Sequence, residues 1–135
     1  MRLSEERKTE LIALCRDLIR IRSDSGCEGQ MVEKLKQVFT GFGFEFQVDR
    51  FGSITAHKKG RDGGPKLLFD GHVDTVPAQP ADWEHDPWGA EMENGKIYGR
   101  GASDMKGAVA AMICAAKYFA EDHPGFAGDL YLSCT

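Results

Sequence analysis

Lys66-Leu67-Leu68-Phe69-Asp70-Gly71-His72-Val73-Asp74 opens as a short apolar strand and runs straight into a polar turn. His72 and Asp74 stand two residues apart at the strand end. Side chains alternate along an extended chain, so both point to the same side. The C-terminal end of a strand is also where open α/β sheets present their ligand crevice. Imidazole is a favoured zinc ligand. A neighbouring carboxylate can accept the other ring N–H, or act through a bound water; either role orients the ligand. An isolated His-x-Asp, however, is more often simply an ordinary surface strand end.

Outward from this stretch the chain alternates helix and strand signals. Towards the N-terminus, Leu11, Leu14, Cys15, Leu18 and Ile19 recur at helical spacing within residues 4–22. Ser4 is placed to cap that helix, and Glu5 and Glu6 suit its first turn. Ser25 and Glu28 read as a capping box. Met31, Val32, Leu35, Val38 and Phe39 then share one face of a second helix that Gly41 stops. Residues 44–48 alternate with period two, and 51–57 give a further strand. Gly60 to Pro65 reads as a turn rich in breakers.

Towards the C-terminus, a loop carrying Trp83 and Trp88 should be ordered, because two tryptophans are rarely left in water. Lys96-Ile97-Tyr98 is a brief strand, and Gly99 to Ser103 a tight turn. Asp104 opens an alanine-rich helix reaching Phe119, and Asp129 to Cys134 begins a strand. This order predicts an α/β fold, a mixed sheet flanked by helices, without internal repeat or linker.

The second chemical segment is Gly99-Arg100-Gly101-Ala102-Ser103-Asp104-Met105-Lys106-Gly107. A carboxylate at a helix start can cap the helix, and the positive end of the dipole keeps it ionised. Its two oxygens can also bridge two metal ions. A phosphate loop does not fit, since Gly107 rather than Ser or Thr follows the lysine, and a dinucleotide fingerprint lacks its third glycine.

Composition narrows the function classes. The chain has 135 residues, 41% hydrophobic and 28% charged, with a net charge of −4. That excludes disorder and gives no electrostatic footprint for nucleic acid. No apolar run approaches the ~18 residues that would span a bilayer. The start, Met1-Arg2-Leu3-Ser4-Glu5-Glu6, lacks an apolar signal core. Cys15, Cys27, Cys114 and Cys134 form no CxxC pair. Reduced thiols and a cytoplasmic location follow as expectations.

The two segments in this order resemble the co-catalytic zinc amidohydrolases and exopeptidases that include acetylornithine deacetylase, succinyl-diaminopimelate desuccinylase, aminoacylase and glutamate carboxypeptidase. Leu68 to Pro77 is similar to that family's first metal motif and Gly99 to Gly107 to its second, with Asp104 following His72 by 32 positions. The Trp83-Glu84-His85-Asp86-Pro87-Trp88 loop and the strand after it also fit.

The resemblance implies roles by position. His72 would be the terminal ligand of one zinc ion and Asp104 the carboxylate bridging two. Asp74 would be the aspartate behind His72 that tunes the site. Cobalt or manganese could occupy the same ligands. The implied reaction is hydrolysis of the amide bond of a small N-acyl amino acid or peptide, without nucleic acid or membrane partners, by a homodimer. The general-base glutamate, the remaining ligands and the dimerising domain have no counterpart in these residues. The expectation is therefore an N-terminal part of the catalytic domain (residues 1–135) that binds metal weakly and is inactive alone. The competing expectation is a non-catalytic binding module on the same scaffold.

Other residues read as structural. His57 and His123 should be solvated and His85 a polar loop residue. Arg100 should pair with an acid. Met105, Met112 and Ile113 should be core.

Overall fold

The computed structural model describes residues 3–135; Met1 and Arg2, where the sequence reading begins, lie outside the described residues. Helix α1 (Glu5–Arg20) is capped by Ser4, whose Oγ accepts from Arg7 N at 3.3 Å. Helix α2 (Gly29–Gly41) turns Met31, Val32, Leu35 and Phe39 inward. The expected capping box does not form. Glu28 precedes the helix without a side-chain cap; its Oε1 accepts from Gly26 N instead. The helix ends at Gly41 as expected, and the left-handed residue that turns the chain away from it is Gly43, at a φ of 69°, a conformation side chains resist.

Strand β1 (Glu45–Val48) pairs antiparallel with β2 (Ile54–Lys59). β2 starts three residues after the expected Phe51. Asp49 forms the intervening turn by accepting from Phe51 N and Ser53 N, which leaves Phe51 exposed. The breaker-rich residues after Gly60 are not a free turn. They begin β3 (Arg61–Gly71), whose register slips between Arg61 and Lys66 against the last strand, β6 (Ala127–Cys134). The extra residues are absorbed as a bulge. A two-stranded ribbon, β4 (Glu91–Glu93) with β5 (Lys96–Tyr98), follows the tryptophan loop. β4 carried no apolar signal of its own.

The main sheet runs β1-β2-β6-β3, antiparallel except for the parallel β3–β6 pair. β6 therefore sits in the middle. Its Leu130, Leu132 and Cys134 point into a core shared with Ile54 and Ala56 of β2, Leu14 and Leu18 of α1, Leu35 and Phe39 of α2, and Val109 and Ile113 of α3 (Gly107–Asp122). Each buried Leu, Ile, Val or Phe among them contributes roughly 1.5–3 kcal/mol of hydrophobic stabilisation before entropy is set against it. The outer edge of β3 pairs with nothing among the described residues, and Leu67, Leu68 and Phe69 remain exposed. No helix of the described residues is long and apolar enough to cross a membrane.

All four cysteines are free thiols; Cys15, Cys114 and Cys134 are buried and Cys27 is exposed. Burial raises all three inner thiols, Cys134 to about 12. A thiol reagent at pH 8 should therefore modify one cysteine, Cys27, in the native chain and four in guanidinium. More than one fast-reacting thiol in the native state would contradict this packing.

Candidate metal centre

The site forms where β3 ends. Beyond Gly71 the chain keeps its parallel partner: Thr135 N donates to Gly71 O at 2.9 Å and Val73 N to Thr135 O at 2.7 Å. This fixes the backbone on both sides of His72. Asp104 comes from the other motif, on the wide turn Ala102–Lys106 that leads into α3. Gly101, at φ 80°, makes this turn possible, because a Cβ there would lie 2.7 Å from Thr75 Cγ2. At Gly107 a Cβ would lie 2.5 Å from Ala102 O.

Asp104 is not the helix cap that the sequence suggested. It has extended backbone (φ −132°, ψ 98°), the Asp104–Met105 peptide is cis, and α3 starts only at Gly107. The carboxylate is instead turned outward, its side chain 87% exposed, with Oδ1 3.0 Å from His72 Nε2. On the far side of the ring, His72 Nδ1–H donates to Asp74 Oδ1 at 3.0 Å and to the Asp74 carbonyl at 3.1 Å. The structure thus brings His72, Asp74 and Asp104 together, in the order Asp74–His72–Asp104. Of the two positions open to Asp74, it takes direct contact with the ring.

A fourth residue joins them that the sequence reading had used elsewhere. Ser25 Oγ donates to Asp74 Oδ2. This hydrogen bond holds Asp74 below the usual carboxylate value against partial burial, and His72 adds to the effect. For His72, burial lowers the affinity for a proton, but the hydrogen bonds to Asp104 and Asp74 outweigh it. The balance lies above the ordinary imidazole value.

The donor set suits a divalent ion in part. An imidazole nitrogen and a carboxylate oxygen converge, and the second ring nitrogen is held by a carboxylate, the arrangement typical of metal-bound histidine. Among the described residues no third His, Cys, Asp or Glu joins the pair, whereas zinc takes about four ligands.

Around the pair the frame is rigid. Lys106 is fully buried, and its Nζ donates to Ile21 O at 2.6 Å. Burial lowers it to about 8, opposed by Asp24. The tryptophan loop is pinned by stacking: Arg100 lies 4.9 Å from the Trp83 ring and Arg22 5.1 Å from that of Trp88. Arg100 therefore meets an aromatic face rather than the expected acid. His57 is half-buried rather than solvated, bonded to Asp129 at 2.8 Å and stacked on Tyr131. His85 stacks on Tyr98 and bonds Glu91 at 2.7 Å. His123 lies against the Phe119 ring. Ile113 is buried, and Met105 and Met112 pack partly buried against the core.

The chain is similar to known proteins in sequence and in fold. The chain is 37% identical over 134 residues to succinyl-diaminopimelate desuccinylase of Thioalkalivibrio sulfidiphilus, covering 94% of this chain and 34% of that protein. It is 40% identical over 131 residues to the protein of the same name from Ralstonia nicotianae, covering 88% and 34%. The chain thus spans about a third of the length of these relatives. Among solved structures, an M20 family metallo-carboxypeptidase from Sulfolobus solfataricus superposes with a TM-score of 0.78 at 25% identity, over 98% of this chain and 30% of the other. A Bacillus subtilis protein described as a dinuclear metal binding peptidase of the M20 family shares the fold, with a TM-score of 0.65 at 18% identity over 98% of this chain and 36% of that one. The model of peptidase family M20/M25/M40 matches residues 68–135, the half that contains both motifs, and the chain belongs to that family.

Proposed function

We propose that this chain is the N-terminal part of the catalytic domain of a metal-dependent hydrolase. Its reaction would be cleavage of the amide bond of a small N-acyl amino acid or peptide. The observation that carries the proposal is the convergence of His72 Nε2 and Asp104 Oδ1 with His72 Nδ1 anchored on Asp74. The relatives named as desuccinylases favour an N-succinyl amino acid as substrate. Zinc is the metal proposed, with cobalt and manganese as substitutes.

His72 Nε2 and Asp104 would hold the metal, and Asp104 has a second oxygen with which to reach another ion. When bound, such ions polarise the amide carbonyl and acidify water. Asp74 keeps the proton on Nδ1 and so leaves Nε2 as the coordinating atom once its own proton is gone. Two ligands are too few for a closed site. The others, with the general base, would come from the two thirds of the relatives' length that this chain does not cover. The free thiols support the cytoplasm as the location, and a homodimer belongs to the same proposal.

The test is hydrolysis of N-succinyl, N-acetyl and dipeptide substrates by a polypeptide of the relatives' full length. Turnover should vanish on chelation and return with Zn2+, and the 135-residue chain alone should show none. Turnover that survives chelation, or purified short chain that hydrolyses these amides, would overturn the reading.

A further inference from the structure

We infer that Ser25 is a positioning residue of the metal centre, setting the plane of the Asp74 carboxylate and through it the His72 ring. The inference rests on the metal-centre reading above and extends it to a residue outside both motifs. Asp74 offers two oxygens. Oδ2 accepts from Ser25 Oγ, which leaves Oδ1 for His72 Nδ1 at 3.0 Å. A carboxylate held by one partner alone can rotate about its last torsion, which is broad and two-fold. Held by one partner on each oxygen, it has a defined plane.

Ser25 does not reach Asp74 by accident of an exposed loop. A short ladder ties the segment to the site strand residue by residue. Thr75 N donates to Ser23 O at 2.8 Å, Ser25 N donates to Thr75 O at 3.2 Å, and Asp24 and Thr75 form a parallel bridge. The Ser23 hydroxyl, itself buried, donates to Val73 O at 2.7 Å. The start of the same segment is held by Lys106, which reaches Ile21 O from the turn that carries Asp104. One stretch, Ile21 to Ser25, therefore touches both halves of the centre and fixes their relative placement. Outer partners of this kind typically alter metal affinity ten- to a hundred-fold when removed.

The experiment compares the 135-residue chain with Ser25→Ala and Ser25→Thr. The first readout is the imidazole Nδ1–H of His72 by nitrogen-15 NMR without metal. The second is Zn2+ titration followed on the same ring. In Ser25→Ala, exchange of that proton with water should accelerate about tenfold and Zn2+ affinity should fall by a similar factor. The melting temperature should stay within a few degrees, since the backbone ladder is untouched. Ser25→Thr, which keeps the hydroxyl, should restore both readouts to within about twofold of the parent.

An unchanged His72 proton in Ser25→Ala would overturn the inference. So would a folded Ser25→Thr chain that behaves like alanine. If the parent itself shows no Zn2+ response at His72, the metal reading fails, while the metal-free proton signal still decides the role of Ser25.

Discussion

Zn2+ added to a His72→Ala chain should leave no site-specific response, a loss of roughly a hundredfold or more in affinity, with the fold intact. The geometry sets the size of the effect. Among the described residues His72 supplies the ring nitrogen bonded to Asp104, and removing a ligand exceeds the ten- to hundredfold cost of losing an outer partner. Asp104→Asn keeps the shape and removes the charge, so a smaller loss, roughly tenfold, is expected. Neither change should cost much stability. Asp104 is almost wholly exposed and His72 partly so, and substitutions at such positions usually stay within about 0.5–1 kcal/mol. In a polypeptide of the relatives' length, the same two substitutions should abolish amide hydrolysis. His57 and His85 serve as internal controls, because they are occupied by Asp129 and Glu91. A His72→Ala chain that still binds Zn2+ like the parent would place the ion elsewhere and remove the basis of the proposed function.

Gly128→Ala should be the most damaging small substitution in the sheet. Gly128 has a φ of 98°, and a Cβ there would lie 2.0 Å from Pro65 O, with further backbone atoms of Gly64 and Pro65 at 2.9 Å. These are main-chain atoms of the bulged start of β3, so no side chain can swing aside. The backbone conformation alone costs a non-glycine residue about 1–3 kcal/mol, and separating two strands adds to it. A loss of at least ~3 kcal/mol is a large share of the 5–15 kcal/mol typical of a domain. It corresponds to a fall in melting temperature of roughly 10 °C or more. Thermal unfolding followed by circular dichroism measures it. A variant melting within 2–3 °C of the parent would show that β3 and β6 are not held as closely as described.

The two substitutions also mark what could be read in the sequence and what could not. The meeting of His72 with Asp74 was legible because the two share a strand end, and Asp104 drew notice because it lies in a continuous motif. β4 left no periodic signal, whereas the helices were legible from period 3.6 and β1 from period two. The pairing of strands was not, since nothing local in Ala127–Cys134 says that it inserts between β2 and β3. The glycines of residues 60–65 looked like a turn because their composition is that of one; only contact with Gly128 and Ala127 makes them strand. Asp104 looked like a helix cap because the alanine-rich run behind it favours helix, yet the close approach of Gly107 to Ala102 O moves the helix start three residues on. Ser25 was misread for the same reason. Its local pattern is a capping box, and its real partner lies 49 residues away.

The place of β6 has a consequence for how the chain is made. β2 and β3 do not pair with each other; each pairs with β6, and the register Ile54↔Cys134 joins residues 80 apart. A nascent chain that has reached His123 therefore holds α1, α2 and α3 but no sheet beyond the β1–β2 hairpin and the small ribbon. Ile54, Ala56, Leu67 and Phe69 then border an open slot with two unpaired strand edges, the kind of surface that draws other chains. Folding must wait for the eight residues of β6, and such long-range closure is slow compared with helix formation. Synthesis and folding thus run in opposite senses: among the strands described, the one made after the others is the one about which they assemble.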